Sequence, residues 1–317
     1  MNPRLFLPYR SELKGLYMVL MLFLTSAFLI NVITGVNFFG PGNLLNVARS
    51  GSMMGIAALG QMMVIIFGGL DLSVGAIVST ANVCAATWMN GDNLLLVPVT
   101  LLIILIGSLG LVNGLLVTKR NAPPFIATLG MAIVLNGIRL IWTGGMVRGR
   151  IPPLLKTIGT ESIFGIPTPF YFFLLIVIGM TILLGHSSYG RRLYTVGTNE
   201  TVGRLSGIRT DFIVIKAYMI SGAAAALVGV LLGGYTGMAD QHIGEGYDLD
   251  TIAAAVLGGA MIGGGIGSTQ GTIIGVFIIM IVTNLTLLAH FPIQSQMLIK
   301  GILIILALWM NNKRQAI

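Results

Sequence analysis

Charged residues are scarce in this chain. Asp, Glu, Lys and Arg make up 9% of the 317 residues, whereas hydrophobic residues make up 55%, and the mean hydropathy is +0.93. A soluble domain carries about 25% charged residues, so a soluble fold of this length would have too few charges to cover its surface. The composition therefore predicts an integral membrane protein whose outer surface faces lipid.

Groups that perform bond chemistry are also scarce. The single cysteine, Cys84, excludes an intramolecular disulfide and is interpreted as a small apolar core residue. The three histidines, His186, His242 and His290, lie far apart in the sequence. No Gly-rich loop followed by Lys and Ser or Thr is present, so the chain has no P-loop for ATP. We therefore expect no catalytic residue, no cofactor and no metal site in this chain.

Ionisable residues within apolar sequence bear on the energy source. Asp71 is the only acidic residue near mid-chain apolar sequence, whereas a proton-driven transporter usually carries membrane-embedded carboxylates. The driving energy is therefore expected from elsewhere, which points to a partner ATPase or to a passive channel. No basic run with interleaved aromatic residues occurs, so no nucleic-acid partner is expected.

Long apolar runs dominate the chain. A hydrocarbon core of about 30 Å requires about 20 apolar residues per helix, and continuous rather than alternating runs favour helices over a β-barrel. The predicted fold class is all-α, a polytopic helical membrane bundle that forms one domain over residues 1–317. The span 250–265 is short and glycine-rich, so it is expected to be broken or re-entrant. Ten transmembrane helices are predicted, at residues 16–36, 44–67, 73–90, 94–118, 124–143, 169–185, 212–234, 250–265, 268–290 and 295–311.

The distribution of Lys and Arg predicts the orientation. With the N-terminus in the cytoplasm, twelve basic residues fall in cytoplasmic segments and three on the opposite side. Because this bias follows the positive-inside rule, both termini, including the tail 1–15, are predicted to be cytoplasmic. The cytoplasmic set is Arg4, Arg10, Lys14, Lys119, Arg120, Arg191, Arg192, Arg204, Arg209, Lys216, Lys313 and Arg314, and the opposite set is Arg148, Arg150 and Lys156.

Acidic residues cluster in one segment on the outward side of this topology. They are Asp240, Glu245, Asp248 and Asp250. Two interpretations are open. The segment is either a solvated loop or a docking surface for an extracytoplasmic partner.

A glycine-rich polar turn separates the second and third spans. Asp71 and Ser73 are typical of a helix N-cap region, because short polar side chains accept the free N–H groups of a first turn. Gly68, Gly69 and Gly75 allow a tight backbone path and close helix contact. From the residues alone, this segment is interpreted as a capped turn.

A long polar loop at residues 186–211 joins the sixth and seventh spans. Asn199 to Leu205 suits a short helix that Asn199 caps and Gly207 ends. A connection alone needs only a few residues, so the loop is either a solvated basic loop or a docking element for a cytoplasmic protein.

A third segment, at residues 253–275, is dense in glycine. Small residues allow helices in a membrane to pack backbone to backbone. The run Gly263–Gly267 should break the helix. It is expected either to line a cavity as a broken helix or to form a tight turn between spans.

These segments resemble the permease subunits of the ribose/xylose/arabinose/galactose class of bacterial ABC sugar importers. GGLDLSVG at 68–75 is similar to the Gly-Gly-Ile-Asp-Leu-Ser-Val-Gly signature of that family. The stretches at 190–208 and 253–275 resemble its cytoplasmic coupling segment and its late glycine-rich region, and PPFIATLG at 123–130 also matches. The mild departures are Thr198, where the family often has glycine, and Gly203, where alanine is common.

The resemblance implies partners. A second permease subunit, in a homodimer or a heterodimer, completes a central pathway in the bacterial inner membrane. Cytoplasmic ATPase subunits bind ATP and Mg, and a periplasmic binding protein delivers a monosaccharide. This chain would not itself be an enzyme.

The resemblance also implies site residues. The predicted coupling residues are Gly190, Arg191, Tyr194, Gly197, Asn199, Arg204, Leu205 and Gly207. The residues that would lie near a gate at the cytoplasmic mouth of the pathway are Gly68, Gly69, Asp71, Ser73 and Gly75. Asp240, Glu245, Asp248 and Asp250 would lie where the binding protein docks, with Arg148, Arg150 and Lys156 as further candidate contacts.

The rival interpretations are a secondary sugar or ion transporter, a membrane enzyme, and a related permease for nucleosides or a cyclic signalling furanose.

Overall fold

The fold is that of a helical bundle with one small β-hairpin. The computed structural model describes residues 38–91, 96–147 and 149–312, together with residues 21, 24, 25 and 28. The helices of the described residues are α1 (Pro41–Ile66), α2 (Val74–Met89), α3 (Leu96–Lys119), α4 (Pro124–Thr143), α5 (Pro153–Thr160), α6 (Thr168–His186), α7 (Ser188–Thr198), α8 (Glu200–Leu205), α9 (Thr210–Thr236), α10 (Tyr247–Leu257), α11 (Thr269–Leu288) and α12 (Ile293–Asn312). The antiparallel strands are β1 (Ser162–Ile163) and β2 (Ile166–Pro167).

Six of these helices are long and apolar enough to cross a membrane: α1, residues 102–119 of α3, α4, α6, α9 and α11. The predicted class, a polytopic helical membrane bundle, is confirmed. The predicted count of about ten spans is not confirmed. Most of the predicted span 16–36 lies outside the described residues, and α2 and α10 have only 16 and 11 residues.

Helix α9 lies at the centre of the bundle, in contact with α1, α2, α3 and α5. Glycines make the contact with α3 close. A Cβ on Gly114 would lie 2.7 Å from the Ile215 Cα, and one on Gly107 would lie 3.0 Å from the Ala223 Cα. Small residues therefore allow backbone-to-backbone packing where lipid supplies no hydrophobic drive between helices.

The two ends of the bundle are named here by the helices that lie there. At the α8 end, Lys119 at the end of α3 forms an ion pair with Asp211 at the start of α9 (Nζ to Oδ2, 2.6 Å). At the α5 end, Arg49 of α1 donates to the carbonyl of Thr160 at the end of α5 (2.6 Å). The sequence analysis does not predict α5 or the hairpin, which lie in the long segment between the fifth and sixth predicted spans.

Two helices begin near the middle of the bundle. Asp71, just before α2, contacts Ser221 of α9, which lies about 16 Å from the start of α9 and about 22 Å from its end at 1.5 Å per residue. Helix α2 then runs towards the α5 end, where Gly229 and Gly233 of α9 pack on Val78 and Asn82. The chain after α9 returns inwards along α2. The backbone N–H of Asp240 donates to the Asn82 side chain, and the backbone N–H of Gly244 donates to the Ser79 hydroxyl.

Helix α10 starts where this returning segment ends. The backbones of Gly244 and Gly75 are in close contact there. From this level α10 runs towards the α8 end, where Gly258 packs on Gly271 of α11. The predicted span 250–265 is broken, because α10 ends at Leu257 and the residues that follow within the span are non-helical. The run Gly263–Gly267 is non-helical, as predicted, with φ of +86° at Gly264 and +79° at Gly265.

Candidate functional site

Helices α7 and α8 form an elbow at the α8 end of the bundle. Asn199 separates them, with an extended backbone (φ −162°, ψ 108°), and its side chain accepts a hydrogen bond from the backbone of Val202 (3.1 Å). Gly207 adopts φ of +77°, a conformation that favours glycine. The predicted short helix, its Asn199 cap and its Gly207 terminator are therefore confirmed.

The longer helix α7 is absent from the sequence prediction. Its buried residues, Gly190, Leu193 and Val196, recur every three residues, and Ser187 caps it by accepting from Gly190 (3.0 Å). This amphipathic spacing and the serine cap are the signals that predict such a helix. Arg191, one of the predicted coupling residues, lies on the exposed face of α7, and its guanidinium donates to the Ser188 hydroxyl (3.1 Å).

Arg204 joins α8 to the base of α9. Its guanidinium donates to Glu200 (Nη2 to Oε1, 2.7 Å) and to Thr210 (Nε to Oγ1, 3.1 Å), and it lies 3.8 Å from Asp211. Since Asp211 also pairs with Lys119, one polar network connects α8, α9 and α3. The groups are largely exposed, so the network orients the elbow more than it stabilises the fold.

Val202 and Leu205 of α8 project away from the bundle. Leu205 is 84% exposed and Val202 is 50% exposed, whereas Gly203 on the opposite face is buried. A six-residue helix that presents apolar side chains at its tip while polar bonds hold its base has the form of a docking element. The role of the elbow as the ATPase contact stays a prediction.

Helix α7 contacts the interior of the bundle through a hydrogen bond from Tyr194 and through backbone packing at Gly197. The Tyr194 hydroxyl donates to the carbonyl of Gly267 (2.7 Å), and burial raises the pKa of Tyr194 to about 12, so the hydroxyl keeps its proton at neutral pH. Gly197 lies directly on the carbonyl of Ile66, at the end of α1, and that carbonyl accepts from Gly265 (2.8 Å). A movement of α7 would therefore reach α1 and the segment before α11 together.

In the turn after α1, Asp71, Leu72 and Ser73 are buried, whereas Gly68 is exposed. Asp71 accepts hydrogen bonds from the Ser73 backbone (3.0 Å), the Ser73 hydroxyl and the Ser221 hydroxyl (2.9 Å). Asn113 donates to Ser73 (2.8 Å), and Gln61 pairs with the backbone of Asp71 at 3.1 Å in the amide orientation that satisfies both groups.

This turn begins near α7 at the α8 end, where Gly68 lies beside Gly264, and reaches further into the bundle at Asp71. Leu72 donates from its backbone to Thr128, one helical turn into α4, and Gly68, with φ of +95°, packs on Gly263. Gly69 and Gly75 contact Tyr218 and Gly244. The predicted N-cap bond from Ser73 to the backbone of α2 is absent, because the Ser73 hydroxyl bonds to Asp71 instead. The role of this turn as a gate stays a prediction.

The four acidic residues after α9 are in different environments. Asp240 and Glu245 are exposed, and Glu245 pairs with His242. Asp248 is half-buried near Gly75. Asp250 pairs with Lys300 of α12 (2.7 Å), with both side chains only 20% exposed. Asp250 is thus engaged within the bundle, and docking of a partner at the other three stays a prediction. Arg148 lies outside the described residues.

A membrane-spanning helical bundle with glycine-mediated packing, half-length helices and a protruding polar elbow defines the class of this protein, a membrane permease. The chain belongs to the family whose model is described as "Branched-chain amino acid transport system / permease component", which matches residues 43–308.

Curated relatives match over most of the chain. The ribose import permease protein of Escherichia coli K12 is 34% identical over 283 residues, which cover 88% of each chain. The ribose import permease protein of Bacillus subtilis is 34% identical over 311 residues, 97% of each. An autoinducer 2 import system permease protein of Yersinia enterocolitica is 32% identical over 270 residues, 85% of this chain and 75% of the relative. No solved structure matches. These relatives confirm the predicted resemblance.

Proposed function

We propose that this chain is the membrane-spanning permease subunit of an ATP-binding-cassette importer. It moves a monosaccharide across the bacterial inner membrane, in a dimer with a second permease subunit. A separate ATPase binds ATP and Mg and drives it, and a periplasmic binding protein supplies the solute. The relatives that import ribose support the choice of solute.

The observation that carries the proposal is the elbow formed by α7 and α8. It presents Leu205 and Val202 to a partner, while Tyr194 and Gly197 connect it to α1 and to the segment before α11. The basic residues at this end of the bundle, which include Lys119, support a cytoplasmic position for the elbow under the positive-inside rule. Closure of the ATPase would move α7, and the packed helices would then switch between outward and inward openings.

The test replaces one exposed apolar tip with a charge. Leu205→Glu should abolish co-purification with the partner ATPase and lower sugar uptake at least ten-fold, because a charged side chain would replace the apolar contact. Phe164→Glu is the matched control. It changes an equally exposed apolar residue (96%) at the opposite end, in the turn between β1 and β2, and should leave ATPase binding unchanged.

Uptake by the permease alone would contradict the proposal. Proteoliposomes that hold only this chain should not accumulate D-ribose under a proton or sodium gradient, whereas a secondary transporter would do so. Uptake of D-ribose and of autoinducer 2 by the complete complex separates the two solutes that the relatives' names indicate.

A further inference from the structure

A cavity of about 480 Å³ lies where the half-length helices α2 and α10 begin. We call it the mid-bundle cavity. Its volume falls within the range of about 300–1,000 Å³ that is usual for small-molecule sites. Its lining runs from the exposed His242 to Leu72, which is only 9% exposed. The polar lining residues used below are Ser79, Asn136, Arg139, Glu245 and Asp248.

One flank of α4 carries a polar residue, Asn136, at membrane depth. Asn136 is exposed and lies twelve residues, about 18 Å, from the start of α4. It lines the cavity with Ile133 and Gly137. Ile138, 55% exposed and outside the cavity lining, lies on the other flank of the helix. Exposed polar groups at this depth face water-filled cavities or protein rather than lipid, so the Asn136 flank is not expected to face lipid.

Charged groups of both signs line the cavity, and one of the carboxylates, Glu245, pairs with His242. Glu245 and Asp248 carry the carboxylates. Arg139 is 5% exposed and its guanidinium is bonded to the wall, to the carbonyls of Ala76 (3.1 Å) and Gln241 (2.9 Å) and to the Asn136 side chain (2.8 Å). These partners are neutral, so they hold the guanidinium against the wall without cancelling its positive charge.

The remaining groups suit hydroxyls. Carboxylates accept hydrogen bonds from hydroxyl groups, and the side-chain amide of Asn136 both donates and accepts. The first turn of α2, at Gly75 and Ala76, also lines the cavity, and the first N–H groups of a helix have no partner within it. Hydrogen-bond donors and acceptors therefore surround the space, as a ring with several hydroxyl groups requires.

We propose that the mid-bundle cavity is part of the solute passage, that it takes a neutral polyhydroxylated ring, and that Asn136, Glu245 and Asp248 contact that ring. This inference rests on the proposed function and extends it to particular residues.

The first experiment measures water access without any partner protein. Asn136→Cys and Ile138→Cys, each in a Cys84→Ala background, are placed in open membrane fragments and treated with a charged, membrane-impermeant thiol reagent. Both positions are exposed at nearly the same depth, on opposite flanks of α4. We expect the thiol at position 136 to react at least ten times faster. Equal rates, or the reverse order, would overturn the proposal.

The second experiment measures solute contact in the complete complex. Asn136→Leu, and separately Glu245→Gln with Asp248→Asn, should lower D-ribose uptake per ATP hydrolysed at least ten-fold, whereas Ile138→Leu should leave it unchanged. Thermal melting of each purified variant separates lost contact from lost folding. Folded variants with uptake within two-fold of the unaltered complex, or inhibition of ribose uptake by L-leucine, would sink the proposal.

The two proposals fail in different ways. If the unaltered complex takes up no sugar in the presence of its ATPase and binding protein, the proposed function is wrong, while the labelling rates still report whether the cavity is aqueous. If sugar enters but the Asn136 variants behave like the Ile138 control, only the assignment of the cavity is wrong.

Discussion

Gly197 is the point at which α7 comes closest to the end of α1. A Cβ here would overlap the carbonyl oxygen of Ile66 and would lie 2.7 Å from the Gly265 nitrogen. Both neighbours are backbone atoms, so neither yields as a side chain would. We expect Gly197→Ala to lower the stability by about 1–3 kcal/mol through overpacking, measured as a lower thermal midpoint in detergent. Gly179→Ala in α6, where the added methyl meets nothing within 4 Å, is the control and should not lower the midpoint.

The ion pair between Asp250 and Lys300 provides a second prediction about stability. Their side chains are 20% exposed and lie 2.7 Å apart, between α10 and α12. Removal of one partner leaves a poorly solvated charge, whereas removal of both leaves none. Lys300→Met should therefore destabilise the protein more than the double variant Asp250→Asn with Lys300→Met, with a coupling energy of about 1–3 kcal/mol. Thermal midpoints of the two single variants and the double variant measure it, and additive effects would contradict it.

The sequence predicts polar residues better than it predicts their partners. Asn199 and Gly207 act locally, through a cap and a left-handed backbone, so their neighbours in sequence are sufficient to assign them. Asp71 and Asp250 depend on Ser221 and Lys300, which lie 150 and 50 residues away. Such pairings follow from tertiary packing, which local sequence patterns do not contain.

At the scale of elements, α4 shows what hydropathy predicts well. Its bounds, 124–143, equal the predicted ones, because Pro124 starts the helix and Gly144, with φ of +60°, ends it. The half-length helices are harder to predict. The loop that joins α9 to α10 returns along α2 through long-range hydrogen bonds, and the pattern of apolar residues does not predict that path.

The bond from Tyr194 to Gly267 tests whether α7 moves the bundle. Tyr194→Phe removes a buried hydrogen bond worth about 1 kcal/mol and loosens α7 from the segment before α11. We expect sugar uptake per ATP hydrolysed to fall about two- to five-fold in the reconstituted complex. Tyr171→Phe, which removes a similar bond to the carbonyl of Ile163 at the α5 end, should leave this ratio unchanged. An equal fall in both variants would argue against transmission through α7.

At the scale of the whole molecule, the unequal distribution of basic residues between the two ends of the bundle predicts its orientation in the membrane. Basic residues at the α8 end include Lys119, Arg192 and Arg209, whereas Arg150 and Lys156 lie at the α5 end. The positive-inside rule then predicts the α8 end in the cytoplasm. This orientation is a requirement of the mechanism, because the elbow must meet an ATPase on the side where ATP is present.

Thiol labelling at two exposed residues, one at each end of the bundle, measures this orientation. Phe164→Cys and Leu205→Cys introduce thiols at opposite ends, at positions that are 96% and 84% exposed, while the native Cys84 is buried. In intact spheroplasts a membrane-impermeant reagent should label only the Phe164→Cys variant, and labelling of Leu205→Cys should require permeabilised membranes. The opposite pattern would place the elbow outside the cell, away from any ATPase, and the proposed function would fall with it.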